Sequence, residues 1–235
     1  MTTIPQAPPA ARKRPAIPPP SPSRTARFDW LKAVKPLLFV LALVPFAVLI
    51  WDGFHDHLTA DPIKEITHRT GWWTLTLLLV TLSITPLRRL TGWNRLVKLR
   101  RMIGLFAFFY ACLHVLTYFG LDQMFDLSYL TEDIVKRPYI TVGFTAWLLL
   151  IPLAVTSTAG WVRRLGKRWQ RLHQLIYITA TLGVIHFYWS VKADVREPLI
   201  FAGILALLLS ARLLFRIRKK AHKPAPLRAR LKVEG

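Results

Sequence analysis

Six apolar, leucine-rich runs of about 16–20 residues recur along this 235-residue chain. Each approaches the ~20 residues a helix needs to cross a bilayer. A soluble core cannot hide six such runs, and a membrane β-barrel would show short alternating segments instead. The runs predict an all-α membrane protein, a bundle of six transmembrane helices at 34–51, 71–87, 102–121, 138–158, 172–191 and 198–215. Residues 1–30, rich in Pro, Ala, Ser and Arg, read as a disordered cytoplasmic tail. A six-helix domain is expected over 31–216, followed by a basic cytoplasmic tail over 217–235.

The net charge of +21 raises the question of nucleic acid. Its distribution answers against it. The N-terminal tail, the second loop, the fourth loop and the region from Arg212 onward hold 27 of the 33 Lys and Arg residues, whereas the other three loops hold 10 of the 12 acidic ones. That alternation is the positive-inside pattern and places both termini in the cytoplasm. The excess charge then faces anionic membrane lipid. No nucleic acid partner is expected.

Ionisable residues inside spans are costly and mark functional sites. His114 and His186 lie well within the third and fifth runs, and His173 stands at the entrance to the fifth. His114 and His186 are each about thirteen residues from the cytoplasmic side, roughly 20 Å deep, on helices of the same direction. Two imidazoles at matched depth suit the two axial positions of a b-type haem. The alternative is a pair of neutral histidines hydrogen-bonded to each other or to Ser and Thr. With one cysteine, Cys112, and no C-x-x-C-H motif, any haem is non-covalent, and Cys112 reads as a small packing residue.

His173 precedes His186 by 13 residues, a rotation about 140° short of four turns. Only an irregular first turn would aim both rings the same way. The matching places in the third run hold Arg100 and Arg101 rather than His. Three roles fit His173: ligand of a second haem with an unusual partner such as Arg100, flavin-phosphate binding together with the arginines, or an interfacial structural residue. The loop histidines His55, His57 and His68 are spaced irregularly for a metal, and His68 reads best as a polar residue before the second span. Phe106, Phe108, Phe109, Tyr110, Phe187, Tyr188 and Trp189 flank the ligands and suit a porphyrin wall, though they are also ordinary packing material. Arg163, Arg164, Lys167 and Arg168 offer contacts to a phosphate or propionate. The acidic loop at 122–137 offers a surface to a basic partner. No internal repeat is evident, so an inverted-repeat transporter has little support.

The order and spacing of several stretches carry a resemblance. They are Ala60-Asp61-Pro62, His68 with Thr70-Gly71, Ile84-Thr85-Pro86-Leu87, Arg100-Arg101 with Gly104-Leu105, and His114. They continue with Arg137-Pro138-Tyr139, Thr156-Ser157, Leu165-Gly166-Lys167 with Trp169 and Leu172-His173, and His186 with Trp189-Ser190-Val191-Lys192. From about Leu31 to Leu214 the chain resembles the MsrQ (YedZ) family, the haem-binding membrane subunits of methionine sulfoxide reductase systems, one branch of the ferric reductase-like transmembrane domains. The resemblance implies haem b, one or two per chain, with ligands at His114, His173 and His186, and an associated FMN. It implies electrons from the quinone pool or a cytosolic flavin reductase, passed to a periplasmic MsrP-like molybdoenzyme that repairs methionine sulfoxide in oxidised proteins. The chain itself is then an electron-transfer subunit of the bacterial inner membrane rather than an enzyme. It has no Gly-rich dinucleotide fingerprint, so no NADPH binding is expected. The rivals are a small transporter with a histidine proton relay, a non-catalytic anchor for a partner enzyme, and a stand-alone cytochrome b that reduces ferric iron or quinone.

Overall fold

The computed structural model describes residues 30–221. The expected N-terminal tail, but for residue 30, and most of the expected C-terminal tail lie outside the described residues. Among the described residues the chain is helical throughout, with no strand. It runs through α1 (Leu31–Phe54), α2 (Pro62–Thr91), α3 (Val97–Leu116), α4 (Leu127–Lys136), α5 (Pro138–Val155), α6 (Ala159–Leu165), α7 (Lys167–Leu172), α8 (Leu175–Ser190) and α9 (Arg196–Ala221). A 3₁₀ turn, Asn94–Leu96, leads into α3, and a π-helical turn, Thr117–Asp122, ends it.

Local chemistry sets the helix ends. Asp61 accepts a hydrogen bond from the Lys64 N–H at 3.2 Å, and Pro62 takes the first helical position, where its missing N–H costs nothing. This cap starts α2 nine residues before the apolar run at 71, so His68 lies within a helix rather than before one. Arg88 and Arg89 complement the carbonyl end of the same helix. α5 stops at Val155, short of the expected 158. There the Thr156 and Ser157 hydroxyls donate back to the Pro152 and Leu153 carbonyls, each at 2.6 Å, and Thr158 caps α6.

Five stretches are long and apolar enough to cross a membrane: α1, α2, α3 with its flanking turns, α5, and α9 as far as Arg218. α8 has sixteen residues, about 24 Å of helix. It falls short of the expected 172–191 because His173 and Gln174 form a turn between α7 and α8. Together with the outward-facing apolar side chains of α1 and α9, such as Leu37, Val40, Leu207 and Leu213, these helices make a multi-pass membrane protein.

α2 packs along α3 and α5 along α8, while α9 lies against α2 and α8 and α1 rests on the outside of α2 and α3. The core joins Leu75, Leu78, Leu79 and Leu82 of α2 to Leu150 and Leu153 of α5 and Ile176 and Val184 of α8. Ala107, Ala111 and Ala180 sit at its centre, and such small side chains let helices approach closely where lipid offers no hydrophobic drive.

At two of the prolines inside these helices, Pro45 and Pro86, side chains from other helices take up the neighbouring backbone groups. At Pro45 in α1, the buried Tyr110 hydroxyl accepts from the Phe46 N–H at 3.1 Å and donates to the Ala42 carbonyl at 2.7 Å. It thereby joins adjacent turns of the helix beside the proline. Pro86 in α2 cannot donate to the Leu82 carbonyl, and an Arg212 terminal nitrogen from α9 does so at 2.6 Å. Replacing Tyr110 with Phe leaves those α1 groups short of a partner. It is expected to cost about 1–3 kcal/mol of stability, read as a lower thermal midpoint in detergent. An unchanged midpoint would mean that other contacts hold α1.

Candidate functional site: two histidines between two helix pairs

His114 on α3 and His186 on α8 come together as their matched depth requires. Their ring centroids lie 6.0 Å apart with planes at 81°. Their helices are not closely packed on one another at the backbone; each belongs to a different pair, α2–α3 or α5–α8. The histidines therefore meet across the seam between the two pairs.

Each ring is oriented by the other member of its own pair. His114 donates from Nδ1 to the Thr67 carbonyl of α2 at 2.8 Å, and His186 donates from Nδ1 to the Tyr139 carbonyl of α5 at 2.7 Å. A carbonyl only accepts, so the proton sits on Nδ1 and each Nε2 keeps its lone pair. That is the tautomer a metal-ligating imidazole adopts, with the other ring nitrogen tied to an outer acceptor. Both carbonyls are helix acceptors as well, and that of Thr67 also accepts from the Thr70 hydroxyl at 3.0 Å.

A helix carbonyl points at residue i+4, so a ring that reaches it lies over that residue. Both positions are glycine. A Cβ on Gly71 would come within 3.0 Å of His114 Cε1, and one on Gly143 within 2.6 Å of His186 Nδ1. The set Thr67, Gly71 and His114 recurs as Tyr139, Gly143 and His186 at a constant offset of 72 residues. The sequence thus carries an internal repeat after all, confined to the site and run in the same direction. Two Gly–His pairs of identical spacing were the available signal, and the unrelated Thr67 and Tyr139 side chains hid it, because only their carbonyls matter.

These residues fit a haem. A metal between two imidazoles needs two metal–nitrogen bonds of about 2 Å each, and with half a ring on either side this accounts for the 6.0 Å centroid separation. Two protein ligands complete a metal whose other ligands come from a macrocycle. Among the described residues, no group of three or more His, Cys, Asp or Glu is placed to hold a bare ion.

His173 stands apart, in the turn between α7 and α8. Its ring stacks on Trp169 at 4.0 Å between centroids, and its Nε2 lies 3.1 Å from the Thr156 hydroxyl oxygen. That hydroxyl donates to the Pro152 carbonyl, so His173 donates to it from Nε2. Trp169 Nε1 donates to the Thr156 carbonyl. Arg100 is half-buried and within electrostatic reach of His173, while Arg101 is exposed.

The remaining sequence candidates are peripheral. His55 stacks on Trp51, and His57 lies 3.9 Å from Asp52. His68, exposed in α2, approaches Glu197 at 3.8 Å and the edge of Phe187. Arg163, Arg164, Lys167 and Arg168 are exposed on α6 and α7, and Cys112 is half-buried. Tyr188 and Trp189 are exposed, whereas Tyr110 is committed to α1. Sequence reasoning missed Gly71, Gly143 and Arg212.

Gly143→Ala is expected to dislodge His186 from the Tyr139 carbonyl and to reduce haem per chain severalfold, measured by absorbance of the purified protein. Gly203→Ala, where a Cβ meets open space, is the control and should keep wild-type haem. Equal loading of the two variants would remove Gly143 from the site.

The family described as ferric reductase like transmembrane component matches residues 70–184, a stretch that includes His114 and His173 and ends two residues before His186. A protein-methionine-sulfoxide reductase heme-binding subunit MsrQ of Xanthomonas campestris pv. campestris (strain 8004) is 54% identical over 203 residues, 83% of this chain and 93% of its own length. The protein of the same name from Xanthomonas euvesicatoria pv. vesicatoria (strain 85-10) is 55% identical over 186 residues, covering 77% and 85%. That from Herminiimonas arsenicoxydans is 52% identical over 198 residues, covering 83% and 91%. With more than half its residues identical over most of its length, and with its paired histidines held between two helix pairs, this chain belongs to the MsrQ family of ferric reductase-like membrane proteins.

Proposed function

We propose that this protein is the haem-binding, electron-transfer subunit of a methionine sulfoxide reductase system in the bacterial inner membrane. The observation that carries this is the pair of imidazoles, His114 and His186, each with Nδ1–H on a backbone carbonyl and Nε2 left for a metal. A haem b held there supplies a one-electron redox couple. His114 and His186 would hold it through Nε2, and the Thr67 and Tyr139 carbonyls fix the tautomer and orientation of the two rings.

The topology supports a vectorial role. α8 with its preceding turn makes a sixth crossing, and the positive-inside charge pattern supports cytoplasmic termini. The paired site then lies in the outer half, close to a surface carrying Asp122, Asp126, Glu132, Asp133, Asp194 and Glu197. Asp133 is held there by Tyr118 at 2.7 Å and by Arg137 at 3.3 Å, and Arg137 is in turn stabilised in its charged form chiefly by Asp133. An acidic outer face suits a basic docking surface on a periplasmic MsrP-like molybdoenzyme, which would carry the methionine sulfoxide chemistry. His173, Arg100 and Arg101 mark the cytoplasmic end, where FMN or a second haem would receive electrons from the quinone pool or a cytosolic flavin reductase.

The test is a reduced-minus-oxidised spectrum with haem quantified per chain. A b-type spectrum that disappears in His114→Ala and in His186→Ala is the expected result. A colourless wild type after haem supplementation, or full haem in both variants, would return the protein to the transporter or anchor class. One haem per chain that survives His173→Ala would leave His173 to a different cytoplasmic group.

A further inference from the structure

The cytoplasmic end holds a concentration of positive charge that the paired histidines do not use. Arg212, sixteen residues after the start of α9, has its guanidinium fixed on two sides. One terminal nitrogen donates to the Tyr177 hydroxyl and the other to the Leu82 carbonyl that Pro86 leaves free. The guanidinium also lies over the Tyr177 ring, 5.0 Å from its centroid. Its third kind of donor, Nε–H, is buried with no hydrogen-bond partner. Arg100 from α3 and Arg89 from α2 are within electrostatic reach of Arg212. Arg89 leans on Phe215, one turn further along α9.

No carboxylate balances this group among the described residues. Asp52, Asp56, Asp61 and Glu65 lie at the opposite end of the bundle, as do Asp122, Asp126, Glu132, Asp133, Asp194 and Glu197. Like charges gathered at the edge of a low-dielectric bundle repel, and a half-buried cation without a counter-charge is costly. An anion among them would lower that cost. The guanidinium fork matches the oxygens of a phosphate in charge and in geometry, and basic pockets between helices on the cytoplasmic side are suited to phosphorylated head groups. His173, near Arg100, adds a ring stacked on Trp169 at the same end.

We propose that Arg212, Arg100 and Arg89, with Tyr177, form a binding site for the phosphate of an amphiphilic ligand entering from the cytoplasmic side. The ligand is either flavin mononucleotide or an anionic phospholipid. The site extends the reading of the cytoplasmic end given above and does not require a haem between His114 and His186. Arg212 was expected only as part of a topology-setting basic region; here it is the anchor of the site, held in place by a proline in another helix.

The test uses the full chain, purified and delipidated in detergent, with the haem spectrum recorded on every sample as an independent report on the outer site. Flavin mononucleotide is compared with riboflavin, which lacks the phosphate, and phosphatidylglycerol with phosphatidylcholine. The expected result is that flavin mononucleotide, phosphatidylglycerol or both raise the thermal midpoint, while riboflavin and phosphatidylcholine do not. Arg212→Gln and Arg100→Gln should each weaken that response by about tenfold or more in ligand concentration. A response to one probe alone assigns the phosphate to that source. If Arg212→Gln does not fold, Arg100→Gln carries the test, because Arg100 braces no backbone carbonyl among the described residues. Absence of any phosphate-dependent response, or an equal response in the Arg variants, would overturn the site even with the haem spectrum intact.

Discussion

The organisation of this protein depends on one interaction made twice: an imidazole Nδ1–H donating to a backbone carbonyl on a neighbouring helix. In the apolar interior a hydrogen bond of this kind is not exchanged for one to water, so it holds the ring in a single orientation and protonation state. It requires glycine at the position the ring covers, which ties Gly71 to His114 and Gly143 to His186. It requires α2 to lie along α3 and α5 along α8, and the two rings then meet in the seam between the pairs. The gap between α3 and α8 is thus a consequence of the pairing.

Away from that seam, the bundle meets the general demand that backbone groups in lipid find partners inside the protein. Threonine and serine hydroxyls return to carbonyls one turn back, as at Thr81, Thr117 and Thr156. Where prolines remove a donor, longer side chains arrive from other helices. Tyr110 serves α1 and Arg212 serves α2. The second repair places a permanent charge inside the protein, a stronger commitment than a hydroxyl because it also calls for an anion.

The 72-residue offset holds at the paired histidines and fails at the other end of the bundle. At one end both helix pairs carry a glycine and a histidine. At the other end the same offset sets Arg101 opposite His173 and Ile84 opposite Thr156. One copy supplies an imidazole held on a hydroxyl and the other supplies positive charge. The two helix pairs thus match where their histidines meet and diverge where the arginines gather.

Much of this was legible in the sequence. The apolar runs marked out an all-helical membrane protein and roughly where its long helices lie, because bilayer thickness dictates length; five of the six expected runs form helices long and apolar enough to cross. The depths of His114 and His186 determined that they would meet, because rise per residue is constant. The 13-residue spacing called for an irregular turn only if His173 and His186 were to aim the same way; His173 does lie in a turn, with its ring on Trp169 and Thr156. What the sequence did not disclose was every contact made through the backbone: the carbonyls of Thr67 and Tyr139 leave no mark in side-chain identity, and a glycine needed for close approach reads like any other. The helix ends at Pro62 and Val155 followed capping chemistry outside the apolar runs. Arg212 read as one more charge near a terminus, and only the packing of α9 across Pro86 of α2 drew it inside. Periodicity and hydropathy act along one chain segment at a time, whereas the ring tautomers, the repaired prolines and the buried charge each arise where two helices touch.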